Sequence, residues 1–254
     1  MKILVTSKRV TDPNARLVVN GDGSWIEDDV EYILNPFCEN AVEAALRLKE
    51  EHGDRNIETV AVGIGAEEVQ RYIRQGALAR GIDRGIHVEA DEQHLDSDII
   101  ARVLAAVIER EKPDLVILGK QAVDGDSNQV AQLLAELMQW PQATFASDIK
   151  LDDGADLRVW REVDGGIECL ALSTPCVVSA DLRLNEPRYA SLAGIMKAKR
   201  KPLDELTLDD LGLAGLEASV RVVRLTVPAG RSAGVMVADL DELITKLTTE
   251  ARVL

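Results

Sequence analysis

Leu115-Val116-Ile117-Leu118-Gly119-Lys120-Gln121-Ala122-Val123-Asp124-Gly125-Asp126-Ser127-Asn128-Gln129-Val130 decides how this chain folds. Its first four residues are apolar without alternation, the pattern of a strand buried on both faces, as in parallel sheets covered by helices. A glycine leaves the strand and another marks the turn. Asp126, Ser127 and Asn128 then stand at a predicted helix start, and Val130, Leu133, Leu134 and Leu137 follow at helical spacing. Strand, loop and helix in this order make half of a βαβ unit.

The unit recurs upstream. Ile3 to Val5, Thr59 to Val62 and Ile86 to Val88 are apolar strand-like runs. Asn35-Pro36 opens a helix to about Glu51, with Asn as cap and Pro in the first turn. A second helix spans about Glu67 to Arg80. Asp96-Ser97-Asp98 caps a third, with Ile100, Val103, Leu104 and Val107 on one face. Such alternation implies a doubly wound, mostly parallel α/β sheet with right-handed crossovers over the first ~140 residues. Three further readings are made. Arg16 to Val19 and Trp25 to Ile26 pair across Asn20-Gly21-Asp22-Gly23 as a hairpin. From Phe145 on, Ile149–Leu151, Leu157–Val163, Ile167–Leu172 and Cys176–Ser179 form a β extension with a turn at Asp164-Gly165-Gly166. Val220 to Val227 is a strand, and Leu240, Leu243, Ile244 and Leu247 share one face of a C-terminal helix. The α/β domain is placed at 1–227 and a C-terminal arm at 228–254.

Composition bounds the function. The 254 residues carry a net charge of −15 and only 3 % aromatics, which disfavours general nucleic-acid binding. No run of ~18 apolar residues predicts a membrane span. MKILVTSKRV starts as a strand, not a secretory signal, which fits a bacterial cytoplasm or, in a eukaryote, the mitochondrial matrix. Cys38, Cys169 and Cys176 lack metal-ligand spacing. The charge is uneven: residues 183–201 hold six cations against Glu186, a net +5 that leaves −20 for the rest. That reversal marks either a contact surface or a solvated basic loop.

In open α/β sheets ligands bind beyond the carboxyl ends of the strands, at the switch in strand order. Three loops end there: Thr6-Ser7-Lys8, Gly63-Ile64-Gly65, and Gly119 to Val130. Backbone N–H groups at the helix start after Ser127 make a phosphate site; the alternative is a cap that serves folding alone. The chain has no GxxxxGK[ST] loop, no complete dinucleotide fingerprint and no GxSxG elbow. His52, His87 and His94 lie off these loops, and no carboxylate pair suggests acid–base work. These features describe a nucleotide binder without bond-breaking apparatus.

Asp181-Leu182-Arg183-Leu184-Asn185-Glu186-Pro187-Arg188-Tyr189-Ala190-Ser191-Leu192, continuing through Ile195-Met196-Lys197-Ala198-Lys199, resembles the signature and partner-recognition loop of the electron transfer flavoprotein beta subunits. Asn35-Pro36-Phe37-Cys38-Glu39, Gly119-Lys120-Gln121-Ala122, Trp140-Pro141-Gln142, Arg161-Glu162-Val163-Asp164-Gly165-Gly166 and Arg231-Ser232-Ala233-Gly234-Val235 match as well. The resemblance implies a non-enzymatic electron-carrier subunit in a heterodimer with an alpha subunit that holds most of an FAD site. It implies a structural AMP on this chain, against Thr6, Asn35, Pro36, Phe37, Cys38, Ile64 and the loop Gly119, Lys120, Gln121, Ala122, Val123, Asp124, Gly125, Asp126, Ser127, Asn128, Gln129 and Val130. It implies docking on acyl-CoA dehydrogenase-type flavoproteins through Arg188, Tyr189, Leu192, Ile195, Met196, Lys197 and Lys199, with Leu192 as apolar anchor, and delivery of electrons to a quinone oxidoreductase. It further implies that the C-terminal arm packs on the alpha subunit. Two departures stand out. Ala193-Gly194 replaces the Pro-Asn of many relatives, which would loosen the loop, and Thr11-Asp12-Pro13-Asn14 lacks an aromatic that many relatives place near the flavin. The rival readings are a bifurcating subunit with a second FAD in place of AMP, and a nucleotide-sensing protein on the same fold.

Overall fold

A computed structural model describes residues 1–27, 30–152, 156–230 and 233–254. Arg231 and Ser232 of the late motif quoted above lie outside the described residues.

β1 (Lys2–Thr6) buries Ile3, Leu4 and Val5 completely. β2 (Arg9–Thr11) and β3 (Tyr32–Leu34) form a separate antiparallel pair. α1 (Pro36–Glu51) and β4 (Glu58–Gly65) follow. A helical stretch opens with α2 (Val69–Tyr72) and continues through wider turns to Leu78, ahead of β5 (Arg84–Glu89). Next come α3 (Ser97–Glu111), β6 (Leu115–Gly119) and α4 (Val130–Met138). β7 (Gln142–Leu151), β8 (Leu157–Val163), β9 (Gly166–Leu172) and β10 (Cys176–Ala180) form the β-rich part. α5 (Leu192–Ala198), β11 (Leu203–Thr207) and α6 (Leu240–Lys246) complete the order.

Nine strands form one sheet in the order β11-β5-β4-β1-β6-β10-β7-β8-β9. All neighbours from β11 to β7 are parallel, and β8 and β9 extend the sheet as antiparallel strands. Successive side chains leave a strand on opposite faces, and the core obeys that rule. Ile3, Val5, Ala61 and Ile117 pack with α1 and the α2 region, whereas Leu4, Val60, Val62 and Val116 pack with α3 and α4. Helices thus cover both faces, as expected for a doubly wound sheet.

The chain runs from β1 out to β4 and β5, then returns to β6 on the other side of β1. The switch in strand order therefore lies between β1 and β6, at Thr6 and Gly119.

Several local expectations change. Val220–Val227 forms no strand, because β-branched residues need a pairing neighbour and this run has no ladder. The hairpin at 16–26 shrinks to one bridge, Val19 to Ile26, around a turn closed by Gly23 N donating to Asn20 O at 2.8 Å. β2, β3 and β11 were not foreseen. Residues 18–27 and 223–254 cluster as one compact unit, and residues 1–17 and 28–222 as another. Within the smaller unit Leu225 N donates to Gly23 O at 2.8 Å, and α6 is capped by Asp239, whose carboxylate accepts from Glu242 N. Among the described residues, no helix is long and apolar enough to cross a membrane and no side-chain cluster could hold a metal ion. All three cysteines are free, and burial pushes the Cys176 thiol up to about 12.

Candidate functional site: a cleft at the strand-order switch

Asn35 stands just before α1 but does not cap it with its side chain. Its amide donates to Gln121 O at 2.8 Å, and its carbonyl oxygen accepts from Val123 N at 3.3 Å. The residue is 1 % exposed, so its polar atoms need such partners. Asn35 thereby ties the start of α1 to the loop after β6. Cys38 completes the junction: its Sγ lies 3.7 Å from Thr6 Oγ1 and accepts from Asn35 Nδ2 at 3.4 Å. Gly119 allows the contact, because a Cβ there would stand 2.8 Å from Phe37 Cβ and 2.9 Å from its backbone carbon. The ends of β1 and β6 and the first turn of α1 are thus drawn together at the switch.

The loop itself departs from the expected helix start. α4 begins at Val130, and the residue before it, Gln129, makes no side-chain cap bond. Asp126 and Asn128 both take left-handed backbone at φ 49°, a conformation in which Asn and Asp are tolerated. Asp124 to Ser127 and Gln129 are exposed, and Gln121 to Val123, Asn128 and Val130 are half-buried. Lys8 holds Asp124 at 2.9 Å, and Gln121 holds Asp126 at 2.7 Å. The first N–H groups of α4 are the unpaired donors that every helix start carries. Two buried side-chain oxygens at these elements, Ser7 Oγ and Gln132 Oε1, have no hydrogen-bond partner. Gly63-Ile64-Gly65, expected as a strand-end loop, is instead the last part of β4, and Ile64 pairs with Val88 in the sheet. The His87 ring faces two carbonyls, Gly65 O at 3.0 Å and Ala66 O at 3.2 Å, so Nε2 carries the proton. His87 is 2 % exposed, the structural histidine the sequence suggests.

Beside the cleft, Lys120 projects between the chain's two phenylalanines. Its Nζ lies 5.5 Å from the Phe37 ring centre and 5.2 Å from that of Phe145, and donates to Asp181 at 2.6 Å. Phe145 sits at φ 62°, strained for a bulky residue, where the β7–β10 register slips. The Ser179 hydroxyl holds it by accepting from Phe145 N at 3.0 Å. Ser7 stands in the expected Thr6-Ser7-Lys8 loop and Asp181 opens the signature segment, whereas Gln132 and Phe145 escaped sequence reasoning as site residues, because burial and a left-handed phenylalanine leave no periodic trace.

The basic stretch forms a second candidate surface. Tyr189 is 94 % exposed, Leu192 79 % and Met196 56 %, while Ile195 is half-buried against the core. Lys197 and Lys199 are exposed and form no ion pair among the described residues. Arg188 instead turns inward to Glu43 and Glu50. The Ala193-Gly194 departure lies within α5, where Ser191 Oγ accepts from Gly194 N at 3.0 Å. A Cβ on Gly194 would stand 2.2 Å from Ala79 O, so glycine lets α5 rest on that carbonyl.

Comparison with known proteins accords with this picture. The family model described as the electron transfer flavoprotein domain matches residues 23–211. The electron transfer flavoprotein subunit beta of Bradyrhizobium diazoefficiens is 52 % identical over 255 residues, covering 100 % of both chains. The mitochondrial beta subunit of Arabidopsis thaliana is 47 % identical, again over 100 % of both. The human beta subunit is 47 % identical over 257 residues, 100 % of this chain and 99 % of that one. With a family model over most of its length and relatives aligned end to end, this chain belongs to the electron transfer flavoprotein family, among its beta subunits.

Proposed function

We propose that the chain works as an electron carrier's beta subunit, paired with an alpha subunit, with an AMP in the switch cleft and an FAD shared across the heterodimer. The observation that supports this reading is the hydrogen-bonded junction of Thr6, Asn35–Cys38 and the 119–130 loop at the strand-order switch, with Ser7 beside it and Gln132 in the first turn of α4 each carrying a buried oxygen that has no partner among the described residues. A nucleoside has the polar edge and hydroxyls to satisfy such atoms, and the unpaired N–H groups opening α4 suit its phosphate. Gly119 lets the start of α1 close on the end of β6 at this junction. The AMP is read as a bound structural group and not as a substrate.

FAD, when bound, supplies the electron-transfer chemistry itself. The residues of this chain position, shield and dock. Phe37 and Lys120 form its edge on the flavin side. Tyr189, Leu192 and Met196 offer an apolar face to an acyl-CoA dehydrogenase-type flavoprotein, with Lys197 and Lys199 steering the encounter. Electrons leave to a quinone oxidoreductase. We place the heterodimer in the bacterial cytoplasm, or in the mitochondrial matrix of a eukaryote.

Two measurements test this. Nucleotides extracted from the co-expressed heterodimer should be one FAD and one AMP; two FAD would overturn the AMP assignment in favour of a bifurcating subunit. Leu192→Ala should cost about 2 kcal/mol of docking, the effect of removing a central apolar anchor, with flavin content unchanged. An unaltered rate of electron transfer from the dehydrogenase would remove the anchor.

A further inference from the structure

Glu43 lies in the middle of α1 with its side chain 4 % exposed. A carboxylate that deep requires partners, and it draws them from the basic segment. Arg188 donates its backbone N at 3.1 Å, its Nε at 2.7 Å and one terminal nitrogen at 3.1 Å to Glu43. Arg47 adds its Nε at 2.9 Å. Glu50 takes the other side of the Arg188 guanidinium at 2.9 Å. Burial alone would raise the Glu43 carboxyl; the bonds from Arg188 and Arg47 hold it below the ordinary carboxylate range.

The neighbouring chain is held with it. Asn40, one turn earlier on the same face of α1, donates to Asn185 O at 2.7 Å and accepts from Asn185 Nδ2 at 3.0 Å. Arg80 Nε donates to Arg188 O at 2.8 Å. Beyond Leu192, Arg74 donates to Ala198 O at 2.9 Å. The exposed residues Tyr189 and Leu192 therefore stand on a stretch fixed at both ends. Arg188 has its donors engaged within the chain, so it is not a free charge offered outward.

We infer that Glu43 and Arg188 are positioning residues for docking: their ion pair, with the Glu43 carboxylate buried and Arg188 half-buried, holds the segment so that Leu192 is presented, already ordered, to an apolar pocket on the partner protein. The inference rests on the docking reading given above. An anchor fixed before encounter avoids the entropy of ordering its segment on binding.

The rival view is that Arg188 contacts acidic residues of the partner directly, and the two make opposite predictions. Glu43→Gln removes a negative charge and releases Arg188. Direct contact then predicts tighter docking, whereas positioning predicts weaker docking. The experiment uses the heterodimer with an acyl-CoA dehydrogenase, measuring apparent KM and kcat together with amide exchange of residues 186–198. Glu43→Gln and Arg188→Gln should each raise KM about tenfold with kcat and flavin content unchanged, as loss of an ordered anchor acts mainly on complex lifetime. The double variant should be no worse than the poorer single one, since both act through one interaction. Amide exchange after residue 188 should rise about tenfold, with β1 and β6 unaffected. If Glu43→Gln destabilises α1, Glu50→Gln, at a site 58 % exposed, asks the same question with a KM rise of about threefold. An unchanged or lowered KM in Glu43→Gln or Glu50→Gln overturns the inference, as does a double variant about a hundredfold weaker, the product of two independent losses. Leu192→Ala separates the layers: if it raises KM and the Glu43 and Glu50 variants do not, the positioning role falls while the docking reading stands.

Discussion

Glu111, the last residue of α3, shows how single carboxylates hold the far side of the sheet. Its side chain is 10 % exposed, pairs with Lys2 at 3.0 Å and accepts from Arg84. Burial alone would raise its carboxyl, but the Arg84 and Lys2 hydrogen bonds hold it below the ordinary range. A carboxyl depressed in the folded state adds stability above its unfolded value of about 4.3, and that stability is lost as pH falls through the lower folded value. Glu111→Gln should therefore lower stability at pH 7 by about 2 kcal/mol, and the two proteins' denaturant midpoints should converge below about pH 4. Parallel curves across pH 3–7 would show that Glu111 contributes no charge-dependent stability. The sequence does not reveal this pairing, because Lys2, Arg84 and Glu111 are brought together by strand order. The basic stretch behaves alike. Its net +5 was legible, but which charges remain free was not: Arg183 pairs with Glu162, Arg188 turns inward, and Lys201 donates to Leu78 O at 3.0 Å. Lys197, Lys199 and Arg200 are left exposed and without an ion pair among the described residues.

At the scale of elements, the close approach of α1 to β6 links fold to site. Gly119 sits against Phe37 and the Cys38 amide, with Cys38 N 3.0 Å from where a Cβ would stand. The atoms in the way are largely backbone, so Gly119→Ala must move the helix start. The expected cost is about 1–3 kcal/mol, together with reduced AMP in the purified heterodimer, because Asn35 and the 119–130 loop lose their common geometry. Full nucleotide content with unchanged stability would show that α1 shifts freely and would detach Gly119 from the site. The strands around the switch were readable because β1, β4 and β6 each have a run of buried apolar residues at their centre. β11 was not, since Leu206 is its one buried residue and charges surround it. β2 and β3, three residues each, are too short to show a period. The valine-rich run at 220–227 had strand composition without a partner, and composition alone did not make it one. The 119–130 loop was located correctly, while its left-handed turns at Asp126 and Asn128 delay the helix to Val130.

Over the whole molecule, an acidic body of net charge −20 carries a basic stretch of +5 at residues 183–201. In the docking proposed above, the exposed cations near Leu192 would favour encounter with an acidic partner surface, an effect that salt screens. The C-terminal region speaks of a different surface. Val223, Val227, Val235, Met236 and Leu240 are each more than two-thirds exposed. α6 is a short helix whose Leu243 and Ile244 are 39 % and 46 % exposed, and a helix of that length is marginal in water without packing. So much exposed apolar side chain in one segment suits a covering partner, and we propose the alpha subunit as that cover. Limited proteolysis of the isolated chain should therefore cut first within residues 223–240 and leave the strands and helices of the larger unit resistant, because the sheet and its two helical layers open only globally. Addition of the alpha subunit should slow that first cut at least about tenfold, the extent to which a stable interface suppresses local opening. Equal cleavage rates with and without the alpha subunit would mean that the exposed valines serve some other contact, and that the heterodimer is held by the body of the chain.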